Sequence, residues 1–388
     1  MLVYITLGGL RAAIYNEVLQ FFVIVAALTP LTVGGLIKVG GWQGLKEKIT
    51  AGAGGAEQLG AWPGTQLSGF DNPVLSVLGI TLGLGFVLSF GYWTTNFVEV
   101  QRALASRSMT AARNTPIIGS FPKLFIPFLV VIPGMIAAVS VSEITALKGG
   151  NGAEGVTYND SILYLMRDLL PNGLLGVAIT GLLASFMAGM AANISSFNTV
   201  FSYDIWQTYV VKDHPDDYYL RVGRLMTVIA CVLAIGTAFF ASGYSNLMDY
   251  LQQLFSFFNA PLFATFILGM FWKRMTATAG WVGLVFGTLA AVTVFVLNET
   301  GAISMPGQGA SFVGAGAAFV VDIVLSVVVS MATRPKPDTA LAGLVYSLTP
   351  KASLRGDETA EERVWYRRPA VLASISLVLV IALNVAFA

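Results

Sequence analysis

Long apolar segments recur along the chain and are separated by short polar stretches. Nine of these segments are long enough to cross a bilayer, which takes roughly 20 helical residues. They lie near residues 12–37, 73–98, 116–142, 173–203, 222–242, 247–272, 277–297, 311–332 and 369–387. Because backbone groups without hydrogen-bond partners are costly in lipid, each segment is predicted to be a helix. The pattern predicts an all-α polytopic membrane protein, with residues 1–388 forming a single transmembrane domain.

Composition supports this class and excludes others. Of the 388 residues, 55% are hydrophobic and 11% are charged, whereas soluble domains carry about 25% charged residues. A net charge of +1 offers no basic face for nucleic-acid phosphates. With one cysteine, Cys231, and one histidine, His214, the chain has no disulfide framework and no Cys- or His-rich metal centre. The sequence therefore predicts neither an enzyme nor a cofactor-binding protein, and its surroundings are predicted to be the lipid bilayer.

Lysine and arginine predict the orientation, because cytoplasmic loops are enriched in both. Fifteen lie in the loops after the second, fourth, sixth and eighth segments, and five lie in the alternate loops. The fifteen are Arg102, Arg107, Arg113, Lys212, Arg221, Arg224, Lys273, Arg274, Arg334, Lys336, Lys351, Arg355, Arg363, Arg367 and Arg368, and the five are Lys38, Lys46, Lys48, Lys148 and Arg167. We predict a plasma-membrane protein whose chain starts inside and ends outside, after the last span at 369–387. The polar loop 39–72 is then outside and the polar loop 335–367 is cytoplasmic.

The first residues are predicted to be the tail of a helix that turns at Gly8–Gly9–Leu10–Arg11 and then enters the first full span. No basic region precedes the first apolar residues, so a signal peptide is not predicted.

Ionisable residues inside the spans are candidates for function, because burying them in a membrane is costly. Lys123 lies early in its span, where it either acts in function or extends its amine to the inner surface. Asp322 lies in mid-span and faces either a structural partner, which we favour, or a ligand. Glu17 either lines an aqueous vestibule or stabilises a helix N-terminus.

Two spans contain helix-breaking residues. The sequence Asn259-Ala-Pro261 is predicted to interrupt the sixth span, because proline lacks a backbone donor. In the second span, glycines precede the aromatic pair Tyr92–Trp93. This pair fits an interfacial aromatic belt, but the polar residues around it form a larger cluster than a belt requires. They are Ser89, Thr94, Thr95 and Asn96.

The fourth span combines small and polar residues. Small side chains at helical spacing run from Ser185 to Thr199, a pattern typical of close helix packing. Asn193 and Asn198 favour instead an interior that faces solute or water.

With these motifs in view, the sequence resembles the sodium:solute symporter family, and within it the branch of sodium/galactose and sodium/glucose transporters. The resemblance covers about residues 8–275 and is carried by five motifs. They are "GGLRAAIYNEVLQ", "GYWTTNFVEVQRALASRSMTAARN", "FPKLFIPFLVVIPGMIA", "NTVFSYDIW" and "ATFILGMFWKR". It implies a LeuT-like inverted-repeat fold and secondary transport of a small polar solute, with a sugar favoured and a sodium ion as the expected coupling ion.

The resemblance also implies roles for single residues. Tyr92 matches the aromatic residue that closes the inner side of the sugar site, with Trp93 beside it. Lys123 and Gln252 match sugar-contacting residues, and Ser89 stands where the sugar branch has asparagine. Glu17 stands where the family often has an aspartate on the inner exit path of the cation.

Two departures from the family pattern are visible. Aligned on the motifs, the chain begins at the end of the fourth core helix. It would then hold the fifth core helix, a complete second repeat and three accessory helices, and the absence of most of the first repeat implies a truncated or incomplete chain.

The second departure concerns sodium. The family binds it through two adjacent hydroxyl residues, and those positions are Ala188 and Gly189 here. The alternative oxygen ligands are Ser185, one turn away, and Ser195 or Ser196 if the helix is unwound. Proton-coupled or uncoupled transport, and a membrane sensor of transporter fold, stay open as alternatives.

Overall fold

In the computed structural model the protein is built from α-helices joined by turns. The structure describes residues 2–52, 55–59, 79–244, 246–305, 308–350 and 365–386, and these contain no β-strand. In chain order the helices are α1 (Leu2–Val39), α2 (Gly41–Ala51), α3 (Gly79–Phe90, wound as a π-helix), α4 (Gly91–Thr95), α5 (Phe97–Leu104), α6 (Met109–Ser140), α7 (Ser142–Lys148), α8 (Ser161–Leu169), α9 (Asn172–Thr199), α10 (Asp216–Ala241), α11 (Leu247–Phe271), α12 (Ala277–Glu299), α13 (Gly309–Ala332), α14 (Asp338–Leu341) and α15 (Pro369–Ala386). A π-helical segment, Val200–Val210, continues α9.

The helices form two compact units. The first unit comprises Met1–Leu59 and Pro122–Asn246, and the second comprises Gly60–Phe121 and Leu247–Ala388. In the part of the chain that the structure describes, eight helices are long and apolar enough to cross a membrane, namely α1, α6, α9 with its π-helical end, α10, α11, α12, α13 and α15. Their outward faces carry large apolar side chains, such as Phe239 and Phe240, each 77% exposed. The chain is therefore a multi-pass membrane protein.

In the first unit, α9 packs along α1, and α10 packs against both. The contact between α1 and α9 is close because Gly181 has no side chain. A Cβ at Gly181 would lie 2.2 Å from the Cβ of Ala27. Small residues on α9 thus allow close packing, as predicted, but the packed face holds Ala178 and Gly181, whereas Ser185 and Gly189 are exposed.

In the second unit, α11, α12 and α13 pack against one another, and α3 packs on α13 and α11. Their apolar core includes Val87, Phe263 and Phe312, which are at most 1% exposed. Gly83 brings α3 against the backbone of α13, since a Cβ there would lie 2.6 Å from the carbonyl oxygen of Phe312.

Eight of the nine predicted spans coincide with single long helices, within a few residues at most ends. The second, predicted at 73–98, is helical as α3 and α4 from Gly79 to Thr95 and is broken at Asn96. Residues 73–78 lie outside the described part of the chain. The predicted turn at the start of the chain is present, because Gly9 interrupts α1 with φ 56° and ψ −152°.

The two long predicted loops contain short helices. Loop 39–72 holds α2 and a 3₁₀ turn at Gly55–Leu59, and its residues 53–54 and 60–72 lie outside the described part. Loop 335–367 holds α14 and 3₁₀ turns at Tyr346–Leu348 and Trp365–Arg367, and residues 351–364 lie outside it.

The predicted interruption of the sixth span is wrong, because α11 runs unbroken from Leu247 to Phe271 with Pro261 inside it. Proline at 261 cannot donate to the carbonyl of Phe257, four residues earlier. Thr288 of α12 replaces that donor, since its hydroxyl donates to the Phe257 carbonyl at 2.9 Å. A tertiary hydrogen bond therefore takes the place of the one that proline removes.

Thr288→Val should leave the Phe257 carbonyl without a donor and lower the free energy of unfolding by about 1 kcal/mol. The measurement is chemical denaturation of the purified protein in detergent. Thr293→Val is the matched control, because Thr293 is exposed and its hydroxyl bonds only the Leu289 carbonyl of its own helix. In a Pro261→Ala background the amide of residue 261 can donate to the Phe257 carbonyl. Thr288→Val should then lower the free energy of unfolding by less. An equal cost in both backgrounds would contradict this account.

Candidate functional site

The second unit brings Tyr92 against the helix that carries Gln252. The rings of Tyr92 and Phe255 are in contact, with centroids 5.0 Å apart and an angle of 48° between their planes. Phe255 follows Gln252 by three residues on α11, and residues at this spacing share one face of a helix. Tyr92, Phe255 and Gln252 are all half-buried. An aromatic pair and a carboxamide therefore lie within one helical turn of each other. The aromatic rings can contact a flat apolar face of a ligand, and the carboxamide can form a hydrogen bond with a hydroxyl group.

The break after α4 is stabilised by a cap. Asn96 is extended, with φ −69° and ψ 119°, and its Oδ1 accepts from the Val98 amide at 2.9 Å. This is the usual N-cap geometry, and α5 begins at the next residue, Phe97. Tyr92 and Trp93 are consequently held on a short helix between a π-helix and a capped break.

Sequence reasoning missed the role of Asn259. Asn259 is 7% exposed and its Oδ1 lies 3.3 Å from the hydroxyl of Thr95, while its buried Nδ2 has no hydrogen-bond partner among the described residues. The sequence pattern suggested a broken helix, whereas the helix is intact and the amide contacts α4. A buried carboxamide two residues before a proline in an apolar span was the available signal.

On α9 the two positions expected to hold sodium ligands have no side-chain oxygen. Ala188 is half-buried, and Gly189 is exposed, with open space for 4 Å around the point where a Cβ would lie. Asn193, one turn later, donates its Nδ2 to the Gly189 carbonyl at 2.8 Å. Ser185, one turn before Gly189, is exposed on the same side. Ser185 is therefore the hydroxyl that α9 offers beside these positions.

The alternative that Ser195 and Ser196 become ligands on an unwound helix is wrong for this structure. The α-helix is continuous from Asn172 to Thr199, and the two serines are 3% and 5% exposed. Asn198 also points into the protein, since its Nδ2 donates to Thr227 Oγ1 of α10 at 2.9 Å. These residues pack the first unit together.

The remaining predicted residues are distributed over both units. Ser89 is exposed on α3 and Trp93 is half-buried on α4, both in the second unit. Lys123 is exposed on α6 and Glu17 is half-buried on α1, both in the first unit. The structure thus brings Tyr92 close to Gln252, while the grouping of Lys123 with them stays a prediction.

Asp322 has structural partners, as favoured from the sequence. It is fully buried, and its carboxyl oxygens lie 2.8 Å from the Thr265 hydroxyl oxygen of α11 and 3.0 Å from the Ser326 hydroxyl oxygen of α13. Within the described ranges, no group of three His, Cys, Asp or Glu residues is placed to hold a metal ion.

A separate ion pair lies outside the spans. Arg167 of α8 contacts Glu143 of α7 at 2.8 Å and Asp168 at 2.7 Å. The Arg167 guanidinium, together with the Ser142 hydroxyl, lowers the pKa of Glu143 to about 2. Glu143 therefore stays ionised at physiological pH and is unsuited to proton transfer. An exposed pair of this kind contributes little to stability.

Comparison with known proteins places this geometry in a family. The model of the family described as "Sodium:solute symporter family" matches residues 1–287. The sodium/glucose cotransporter of Vibrio parahaemolyticus is 29% identical over 316 residues, which are 79% of this chain and 56% of that protein. Sodium/glucose cotransporter 1 of Sus scrofa is 30% identical over 398 residues, covering 92% of this chain and 58% of that protein. Sodium/myo-inositol cotransporter 2 of Homo sapiens is 28% identical, covering 76% and 46%. The chain spans about half the length of these relatives.

A solved structure shares the fold. It is described as "Substrate-bound outward-open state of a Na+-coupled sialic acid symporter reveals a novel Na+-site", and the similarity has a TM-score of 0.65 at 19% identity. It covers 86% of this chain and 65% of that one. The prediction of a LeuT-like all-α fold is confirmed.

Serine at both Ala188 and Gly189 should strengthen sodium binding, because hard cations bind oxygen and α9 lacks side-chain oxygen at these positions. Tighter binding raises the stabilisation that a given sodium concentration produces. We expect the sodium-dependent rise of the thermal midpoint to be larger in Ala188→Ser/Gly189→Ser than in the wild type, with choline as the reference cation. Gly173→Ser and Gly176→Ser, also exposed on α9 in open space, are the controls. An unchanged sodium response in the double variant would show that these positions do not face the cation.

Proposed function

This chain belongs to the sodium:solute symporter family, and we propose from this membership that it takes part in the secondary transport of a small polar solute. The single observation that carries the proposal is the family match over residues 1–287. The relatives described above are named as sodium/glucose and sodium/myo-inositol cotransporters. Glucose and myo-inositol are both polyhydroxylated, so a sugar or cyclic polyol is the favoured solute. Transport by alternating access requires binding and release and no covalent chemistry.

The residues proposed to bind the solute are Ser89, Tyr92, Trp93, Lys123 and Gln252. Tyr92 and Phe255 provide an aromatic surface on which the apolar face of a sugar ring stacks. Gln252 supplies both a donor and an acceptor, and the Lys123 amine supplies donors. Ser89 is a shorter hydrogen-bonding group than the asparagine that the sugar branch has there.

The proposed coupling ion is sodium. Its support is the family, together with the exposed side of α9 around Ser185 and Gly189. The half-buried carboxylate of Glu17 on α1 is the proposed acidic group on the inner path of the cation. A sodium site here would use Ser185 and backbone carbonyls, because Ala188 and Gly189 provide no side-chain oxygen.

The proposed orientation places the start of the chain in the cytoplasm and the last span, α15, ending outside. Its support is the distribution of lysine and arginine described above. The loop that contains α2 is then extracellular, and the loop that contains α14 is cytoplasmic.

The test is uptake into proteoliposomes that hold the protein as its native gene encodes it. Labelled glucose, galactose and myo-inositol would be offered under an inward sodium, potassium or proton gradient. We expect uptake of at least one solute to be stimulated by the sodium gradient over the other two. Equal uptake under all three gradients would overturn sodium coupling, and no solute-dependent uptake would overturn the transport proposal for these solutes.

Lys123→Ala should weaken the apparent affinity for the solute by about 10- to 100-fold, because a hydrogen bond to a charged group contributes about 1.5–3 kcal/mol. The measurement is the solute concentration that gives half-maximal uptake. Lys38→Ala is the matched control, since Lys38 is also an exposed helical lysine but lies at the end of α1. Wild-type affinity in Lys123→Ala would remove this residue from the solute site.

A further inference from the structure

The carboxyl group of Asp322 lies deep within α13, midway along a helix that crosses the membrane. Its side chain is fully buried, and α11, α12 and α3 pack around the helix. Burying an ionised carboxylate away from water is costly unless a cation or several donors neutralise it. The groups that surround Asp322 therefore decide its protonation state.

None of these packed helices brings a cation to Asp322. The titratable residues of α11 are Asp249 and Tyr250, and that of α12 is Glu299. Asp249 is 16 residues from Thr265 and Glu299 is 16 residues from Gly283, each about 24 Å along its helix. Helix α3 carries no titratable residue, and α13 carries none besides Asp322. The described helices α3, α11, α12 and α13 thus have no lysine, arginine or histidine to pair with the carboxyl group.

The backbone of α12 also leaves no space for a bound metal ion on its side of the carboxyl group. A Cβ at Gly283 would lie 2.5 Å from Asp322 Oδ1 and 2.2 Å from Ser326 Oγ. A Cβ at Gly287, one turn later, would lie 3.2 Å from the Cβ of Asp322. Two glycines one turn apart therefore allow the backbone of α12 to lie in direct contact with the Asp322 side chain. A proton fits in such a place because it needs no additional volume.

Two contacts of the Ser326 hydroxyl bear on the protonation state of Asp322. Ser326 Oγ is 3.0 Å from Asp322 Oδ1 and 3.2 Å from the carbonyl oxygen of Ala279 on α12. A serine hydroxyl has one hydrogen, and a carbonyl oxygen only accepts. Three oxygens in a row need two hydrogens for both contacts to be hydrogen bonds. The second hydrogen is present only when Oδ1 of Asp322 is protonated.

We propose that Asp322 is a proton-binding site inside the second unit. Its carboxyl group takes a proton from water, keeps it at neutral pH as an O–H bond on Oδ1, and donates it to Ser326 Oγ. Ser326 then donates to the Ala279 carbonyl, and Thr265 donates to Oδ2 at 2.8 Å. The neutral acid thereby links α11, α12 and α13 through one continuous chain of hydrogen bonds. This resident proton is independent of the proposed transport function and is not the coupling ion.

The test is infrared difference spectroscopy of the purified protein at pH 7, comparing wild type with Asp322→Asn. We expect the wild type to show the C=O stretch of a protonated carboxylic acid, and Asp322→Asn to lack it. Ser326→Ala, which removes the acceptor, should shift the frequency of this band without abolishing it. Asp338→Asn is the control, because Asp338 is an exposed aspartate beside Lys273, and it should change only the carboxylate bands.

Two outcomes would overturn the proposal. One is a difference spectrum between wild type and Asp322→Asn that contains carboxylate bands and no acid band at pH 7. The other is an acid band that is replaced by carboxylate bands when sodium is added, which would make the site a cation site. If Asp322→Asn does not fold, the spectra of wild type and Ser326→Ala are compared instead. An acid band at the same frequency in both would also refute the assignment to Asp322.

Discussion

A buried polar group inside an apolar span is costly unless a hydrogen-bond partner within the protein satisfies it, and this constraint shapes the contacts between helices in both units. Pro261 removes a donor from α11, and Thr288 supplies one from the neighbouring helix. In the first unit, the Thr32 hydroxyl bonds the Phe128 carbonyl at 3.0 Å. These bonds connect different helices, so they select which helix faces meet. Apolar packing alone would not distinguish one apolar face from another in lipid.

The same constraint separates the polar residues of the spans into two groups. Asn198 and Asp322 point inwards and are held by hydroxyl groups of adjacent helices. Ser89 and Ser185 are exposed on the surfaces of their units. A solute or an ion binds to side chains whose polar groups are not already bonded inside the protein. The exposed Ser89 and Ser185 and the half-buried Tyr92 and Gln252 are therefore better candidates for binding than Asn198 and Asp322.

Helix positions were predictable because they depend on the length of apolar runs. The bounds of α11 and α13 agree with the predicted spans within about two residues, since polar turns end both runs. Hydrogen-bond partners were not predictable. A polar residue that bonds within its own helix and one that bonds to a different helix have the same local sequence pattern. Pro261 illustrates this difference. Its lack of a donor was visible, but Thr288 lies 27 residues away in sequence, and only the folded chain shows that the two meet. For the same reason Asn259 was interpreted as part of a break, and its contact with Thr95 was missed.

How well α9 can contribute to a sodium site depends on the number of oxygen atoms on one side of this helix. A hard cation that loses its water shell binds about six oxygens. Ala188 and Gly189 provide no side-chain oxygen, and Asn193 already donates to the Gly189 carbonyl. Ser195 and Ser196 are buried, so the exposed side-chain oxygens near these positions on α9 are the Ser185 hydroxyl and Oδ1 of Asn193. A sodium site on α9, as proposed above, would therefore draw more of its ligands from other groups, such as backbone carbonyls, than one on a helix with two adjacent hydroxyls. Because a helix carbonyl that binds a cation gives up part of its hydrogen bond, such a site is expected to bind sodium more weakly.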